Sequence, residues 1–252
     1  MISLMTTDGE PVNAHNATPE EKTAHVYEVF EKISEDYDKV NDVISMGQHR
    51  NWKKELIQGI MDCEPNSVLD IASGTGDIAL KIATSLPQAR VVASDFSPAM
   101  LEVAKRRGAE AGLDNMTIDQ QDATNLSFDD ASFDVSCVSF GLRNMPDYGQ
   151  AISEMTRVLK PGGKFFCLDA SYPTNPVIKP FFKLYFKYIM PTLGGLIAKA
   201  PEEYKWLNDS TEAFLSKDEL AALMQEKGLR DVGYKSFMFG GSALHYGTKP
   251  KG

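Results

Sequence analysis

Val68-Leu-Asp-Ile-Ala-Ser-Gly-Thr-Gly-Asp77 decides the fold. A short apolar run ends in an acid, opens into a glycine-rich loop and leads into the helix-like Ile78-Ala-Leu-Lys-Ile-Ala83. Strand, loop and helix in that order form the entry of an α/β nucleotide-binding unit. The glycines let the backbone pass close to a ligand, and the first N–H groups of the helix favour an anion.

Outward from this loop, apolar runs and amphipathic stretches alternate. Strands are predicted over 67–72, 90–95, 116–121, 133–140 and 164–169, with helices over 77–85, 98–111 and 148–159 between them. Continuous apolar strands separated by helices imply a parallel sheet covered on both faces. A helix over 217–227 and two strands, 232–239 and 242–248, close the chain. The expected architecture is therefore a Rossmann-like, mostly parallel seven-stranded α/β sheet. Upstream, Thr18-Pro-Glu-Glu21 reads as a capping box with proline at the first helical position, and Val26, Phe30, Ile33 and Tyr37 follow on one face. A second helix is expected from about Asn51 to Met61. Residues 1–17 read as a disordered tail, 18–252 as one domain, 18–64 as its helical cap and 171–215 as a lid over the substrate.

Composition narrows the classes. With 26 basic against 35 acidic residues the net charge is -9, which argues against a nucleic-acid binder. Cys63, Cys137 and Cys167 have no paired spacing, and the last two fall in apolar strands. Neither a disulfide framework nor a metal site is indicated, and the first residues lack the pattern of a secretory signal. A cytoplasmic protein is expected.

Three readings of the loop compete. Gly74-Thr-Gly-Asp-Ile-Ala79 satisfies the dinucleotide pattern G-x-G-x-x-A, and Asp95 at the end of the second strand would then hold an adenosine ribose. A glycine turn with no ligand is the second. S-adenosylmethionine (SAM) is the third, and four features favour it. Asp70 stands just before the glycines, where it can order the loop or face the cationic end of SAM. Asp95 can accept both ribose hydroxyls, though it suits either cofactor. Asp122 after the third strand can accept from the adenine amine, and Ala123 beside it offers a backbone donor and room for the ring. Leu159-Lys-Pro-Gly-Gly163 supplies the turn into the fifth strand that class I methyltransferases commonly use.

Longer motifs resemble the ubiquinone/menaquinone biosynthesis C-methyltransferase family. They are Val29-Phe-Glu-Lys-Ile-Ser-Glu-Asp-Tyr-Asp38, Asn41-Asp42, Gly47-Gln-His-Arg-Asn-Trp-Lys53, Ser139-Phe-Gly-Leu-Arg-Asn-Met145, Met155-Thr-Arg-Val-Leu-Lys-Pro-Gly-Gly163 and Ala243-Leu-His-Tyr-Gly-Thr-Lys249. The resemblance implies a class I SAM-dependent enzyme that methylates a ring carbon of a polyprenyl quinol, demethylmenaquinol before the benzoquinol. It implies cofactor contacts from Thr75, Asp95, Asp122 with Ala123, and Ser139; Asp70 and Gly74 join them on the loop reading. Asp122 stands where many members carry asparagine. Asp169-Ala-Ser-Tyr-Pro173 replaces a usual Glu-Phe-Ser-x-Pro, and Tyr246 stands where arginine commonly follows the histidine. Both of these last departures are expected on the substrate side.

Ring methylation needs the reduced quinol, because a phenol gives up a proton (pKa roughly 10) to activate the ring. Arg143 and Asn144 are the first candidates to stabilise that phenolate or hold a water that takes the proton, with His49 and His245 as runner-up bases. An O- or N-methyltransferase, an NAD-dependent oxidoreductase and a non-catalytic SAM-binding subunit are the alternatives. Finally, 177–200 carries Lys179, Lys183, Lys187 and Lys199 and no acid. It reads equally as a basic face for peripheral contact with the inner side of a membrane, or as a lid helix over the active site.

Overall fold

A computed structural model describes residues 17–33, 45, 47–184 and 201–251. The side chains of Phe30 and Ile33, residue Tyr37, the Asn41-Asp42 pair, the tail before Ala17 and the basic stretch from 185 to 200 lie outside what is described.

The described chain runs α1 (Pro19–Ile33), α2 (His49–Met61), β1 (Ser67–Ile71), α3 (Asp77–Ser85), β2 (Arg90–Asp95), α4 (Pro98–Glu110), β3 (Met116–Gln120), β4 (Phe133–Ser139), a 3₁₀ turn (Leu142–Asn144), α5 (Tyr148–Arg157) and β5 (Leu159–Ala170). It continues with α6 (Ile178–Leu184), α7 (Pro201–Ala213), α8 (Lys217–Glu226), β6 (Arg230–Phe237), a second 3₁₀ turn (Met238–Gly240) and β7 (Ser242–Thr248). The strands form one seven-stranded sheet in the order β3-β2-β1-β4-β5-β7-β6. The pairings from β3 to β5 are parallel, and β7 runs antiparallel to both β5 and β6. The expected Rossmann-like sheet is present.

Alternation along the buried strands explains their continuous apolar sequence. Val68 of β1 and Val135 and Cys137 of β4 join α2 and α3 on one face, with Trp52, Leu56, Ile60, Ile78 and Ile82. Leu69, Ile71, Phe133 and Val138 point the other way, onto Ile152 and Met155 of α5 and Leu220 and Met224 of α8. β1 and β4 bury both faces, so most of their positions are apolar.

Local signals set several helix starts. Thr18 Oγ1 accepts from Glu21 N at 3.2 Å while Glu21 Oε2 accepts from Thr18 N at 2.9 Å, the expected capping box. Ser97 caps α4, with proline in its first turn. At α3 the cap is Gly76, with φ of +82°. A Cβ there would stand 2.9 Å from Ala104 Cβ, so α4 packs against the loop only because this residue is glycine. The Lys-Pro-Gly-Gly segment differs from expectation. It is an irregularity inside β5, not a turn before it: Leu159 pairs with Phe133, Lys164 with Val135, and the residues between them bulge.

Candidate active site

Strands β1, β2 and β4 end their parallel run at one edge of the sheet, where the order reverses on either side of β1. Ligands of open α/β sheets bind at such a switch point, beyond the carboxyl ends of the strands. Two connected hollows lie there. The larger, about 210 Å³, is lined by the ends of β1 and β2, by Gln121–Thr124, and by Phe140, Gly141 and Asn144–Pro146. The smaller, about 20 Å³, lies under the loop among Lys53, Asp70, Ser73, Thr75, Asp77 and Ser139. Ala72 and Gly74 line both.

The loop is held from beneath by Asp70. Its Oδ2 accepts from Ser73 Oγ at 2.7 Å and its Oδ1 faces the Cys137 thiol at 3.5 Å. Burial pushes this carboxyl from the ordinary 3.8 up to about 6, although those two donors and the backbone of Ala79 favour the ionised form. Asp95 closes the loop from the side. Its Oδ2 accepts from Gly74 N at 2.8 Å and its Oδ1 from Ser97 N at 2.9 Å. A carboxylate offers about four lone-pair sites. The Phe96 backbone donates to Asp95 as well, and its remaining capacity faces the larger cavity, which it lines. Thr75 is buried, and Arg107 of α4 donates to both its carbonyl and its hydroxyl oxygen, at 3.1 and 3.0 Å. Asp122 folds back on itself, with Oδ1 accepting from Thr124 N and Oγ1. That turn presents Ala123 to the cavity wall. Ser139 ends β4 with its Oγ buried and bonded to nothing among the described residues.

These residues fit SAM. Asp95 suits the ribose, Asp122 and Ala123 line the space for adenine, and the orphaned Ser139 hydroxyl sits beside the polar hollow where the amino-acid end would lie.

The two residues expected to act on the substrate part company. Asn144 lines the larger cavity, and its Oδ1 accepts from the Trp206 indole at 3.2 Å. Arg143 lines neither hollow. Its Nη1 donates to Asp169 Oδ1 at 2.6 Å and to Phe140 O at 2.9 Å, and its backbone N donates to Asp169 Oδ2 at 3.1 Å. Both side chains of this pair are buried, 8% and 2% exposed. Asp169 thus keeps an acid on Arg143 in spite of its shorter side chain. Tyr246 is half-exposed on β7, its hydroxyl where a Cβ on Gly233 would fall, and it lines neither hollow. The expectation that it lies on the substrate side gains no support from the lining of either hollow: its ring lies over Gly233, its register partner on β6. Neither histidine reaches the cavity. His49 Nδ1 pairs with Ser45 Oγ at 2.7 Å, and His245 Nε2 meets Lys217 O at 2.8 Å. Burial holds His245 below its ordinary pKa.

Three residues not singled out in the sequence also shape the site. Lys22 anchors α1 by donating to Met145 O at 2.7 Å and Tyr148 Oη at 3.1 Å, which brings Thr23 and Val26 to the cavity wall. Burial, then repulsion from Arg143, lower this ammonium to about 8 against a smaller pull from Asp169. Trp206 orients Asn144. Lys53 of α2 donates to Asp77 Oδ2 at 2.9 Å inside the smaller hollow. A lysine four residues after a helix start is an ordinary surface signal, and only the Gly47–Lys53 motif marked this one.

Comparison with known proteins agrees with this geometry. A family model described as the ubiE/COQ5 methyltransferase family matches residues 18–249. A demethylmenaquinone methyltransferase of Bacillus cytotoxicus is 43% identical over 232 residues, 91% of this chain and 98% of that protein. Another, of Staphylococcus carnosus, is 43% identical over 239 residues, 94% and 97% of the two chains. Among solved structures, a SAM-dependent methyltransferase of Thermotoga maritima, described as a possible histamine N-methyltransferase, superposes with a TM-score of 0.61 at 20% identity. It covers 88% of this chain and 99% of its own, a likeness of fold.

Proposed function

The chain belongs to the ubiE/COQ5 methyltransferase family, and from that premise we propose that it transfers a methyl group from SAM to a ring carbon of a polyprenyl quinol, converting demethylmenaquinol to menaquinol. The carrying observation is the cleft at the switch point, where Asp95 and Asp122-Ala123 share one cavity with an apolar wall of Val26, Phe140 and Met145, and the orphaned Ser139 hydroxyl lines the adjoining hollow. The relatives' names supply the quinol.

When bound, SAM supplies an electrophilic methyl group on a sulfonium. The chain positions the partners and keeps water away. We assign cofactor contacts to Asp70, Gly74, Thr75, Asp95, Asp122, Ala123 and Ser139. Asn144 is the residue assigned to the substrate. With the indole of Trp206 on Oδ1, its amide presents Nδ2 as a donor to a phenolate oxygen. Arg143 is assigned a supporting place: tied to Phe140 O and Asp169, it fixes the 3₁₀ turn that carries Asn144. An oriented donor stabilises negative charge most where water is excluded, so Asn144 favours the phenolate that makes the ring carbon nucleophilic.

The test is direct. With labelled SAM and a mixture of reduced naphthoquinol and benzoquinol, label should appear on the ring carbon of the naphthoquinol. A product methylated on oxygen, or preference for the benzoquinol, would overturn the assignment.

A lipid-borne substrate also gives a reason for peripheral membrane contact. Among the described residues no helix is long and apolar enough to cross a membrane. Val177, Phe181 and Leu184 are exposed at and along α6, spaced by four and three residues, with Lys179 beside them. Such a face suits the surface of anionic lipid. Flotation should place the protein with vesicles containing acidic lipid and not with neutral ones; equal recovery from both refutes the contact.

A further inference from the structure

We propose that the turn between β6 and β7 is a membrane wedge: the Phe239 ring enters the acyl layer of an anionic bilayer beside the apolar face of α6, at the sheet edge that holds the cleft. The proposal deepens the reading of a lipid-borne quinol and rests on it for the choice of a bilayer as partner.

Two consecutive residues of this turn, Met238 and Phe239, hold positive φ, 45° and 56°. Left-handed backbone is costly for a residue with a Cβ. For Met238 the reason lies inside, where its side chain packs against the core that α2 and α3 cover. Phe239 has no such reason. It is 84% exposed, so an unfavourable backbone holds a bulky aromatic ring out in water. Strain kept at such a residue points to a role outside the fold.

The turn does not stand alone. A Cβ on Gly241 would come within 2.6 Å of the Phe182 ring of α6, and one on Gly240 within 3.4 Å of Pro173. The turn and α6 therefore share one surface. Among the described residues, the exposed large apolar side chains that carry no hydroxyl are Val177, Phe181, Leu184 and Phe239, and all four lie on these two segments. Apolar residues scattered singly are ordinary, whereas a gathered set marks a site of interaction.

Charge and position select a bilayer. The chain has a net charge of -9, yet neither 170–184 nor 232–252 contains an acid. Lys179 is exposed on the first of these segments. Ser242, where β7 begins, pairs with Ala170, where β5 ends. Because β5 runs parallel to β4 and β4 to β1, the turn stands at the carboxyl edge of the sheet, beside the cleft. A bilayer meeting this surface lies against the edge that receives the quinol ring.

Fluorescence and partition test the wedge. Trp52 and Trp206 are buried, so Phe239→Trp places a reporter that stands apart from them. Without lipid the added indole should be open to acrylamide. On vesicles of phosphatidylcholine and phosphatidylglycerol its emission should shift to the blue, and bromine on the acyl chains should quench it. Phe239→Asn removes the ring with a residue that tolerates left-handed backbone, so the melting temperature should hold or rise. Its partition onto the same vesicles should fall about tenfold, the effect of partly burying one aromatic side chain. Methylation of a naphthoquinol carried in those vesicles should fall with it, while a short-chain, water-soluble naphthoquinol should be methylated at an unchanged rate. The wedge is overturned by an indole shielded from acrylamide without lipid, by acyl-chain bromine that leaves it unquenched, by unchanged partition of Phe239→Asn, or by a dimer in sedimentation that Phe239→Asn dissociates. Failure of the unsubstituted protein to methylate the soluble naphthoquinol is a different result: it overturns the quinol reading, and the vesicle measurements still decide the wedge.

Discussion

Removing the carboxylate of Asp169 should strand a buried cation next to the active site. The side chains of Asp169 and Arg143 are 2% and 8% exposed and 2.6 Å apart, and Asp169 also accepts from the backbone N of Arg143 at 3.1 Å and of Ala170 at 2.7 Å. Breaking a buried pair by deleting one partner costs about 3–5 kcal/mol, because the other charge stays uncompensated. Asp169→Ala is therefore expected to lower stability in urea by about 4 kcal/mol, and the melting temperature by roughly 10 °C for a domain of this size. Deleting both charges should cost less than deleting one. Asp169→Leu/Arg143→Met is expected to regain at least about 2 kcal/mol over Asp169→Ala. The same double variant separates support from chemistry. Binding of S-adenosylhomocysteine should survive in it, since neither residue lines the cofactor space. Turnover should fall steeply, since the turn bearing Asn144 has lost its ties to Phe140 and β5. Additive single losses, with no recovery in the double variant, would refute the buried-pair argument. Full turnover in it would refute the supporting place given to Arg143.

Two other perturbations test the cofactor side. Asp95→Asn replaces an oxygen that accepts from the loop or from Ser97 with an amide that cannot, and it removes the charge facing the ribose. Affinity for S-adenosylhomocysteine should fall about 100-fold or more at two charge-assisted bonds, with the far-ultraviolet spectrum unchanged; a loss under tenfold counts against a ribose site. Asp70 sets a pH signature. Its folded pKa, about 6, lies above the unfolded 3.8, so the fold binds the extra proton between these values. Its contribution is fully present below about pH 4 and disappears as pH rises through 6, roughly 3 kcal/mol at 1.36 kcal/mol per unit. Urea titrations at pH 4, 6 and 8 should show that dependence in the unsubstituted chain and a flatter one in Asp70→Asn; parallel curves would refute it.

How much of this was legible in the sequence depends on the range of the forces involved. The helix at Asp77–Ser85 and the strands Arg90–Asp95 and Ser242–Thr248 match their expected bounds, because caps and apolar runs act over a few residues. The start of β5 was not legible. Leu159 belongs to the strand because Phe133 lies opposite it, and no local pattern announces that pairing. The cofactor candidates Asp70, Gly74, Thr75, Asp95, Asp122, Ala123 and Ser139 do gather at one edge, since each follows or ends a strand whose order the fold dictates. Lys22, which bonds across 123 residues, and Trp206, which bonds across 62, are products of tertiary packing and carry no local mark.

Arg143 and Asn144 show the same limit at its shortest range. They are neighbours in the sequence and were expected to act together. On a 3₁₀ turn, with three residues per turn, successive side chains leave the axis about 120° apart. One of the two can face the cavity only if the other faces elsewhere. Asn144 takes the cavity and Arg143 takes Asp169. The Asp169 that replaces a longer acid lies at the carboxyl end of β5, where its oxygens reach both the guanidinium and the backbone of the turn. The distinctive Ser-Phe-Gly-Leu-Arg-Asn segment thus divides its work by geometry. Ser139 lines the smaller hollow, Gly141 lets the chain pass where a Cβ would stand 2.5 Å from that of Ala72, Arg143 holds the turn, and Asn144 lines the larger cavity. A substitution in this segment should therefore be read by the direction its side chain takes, not by its distance along the chain from the residue that reacts.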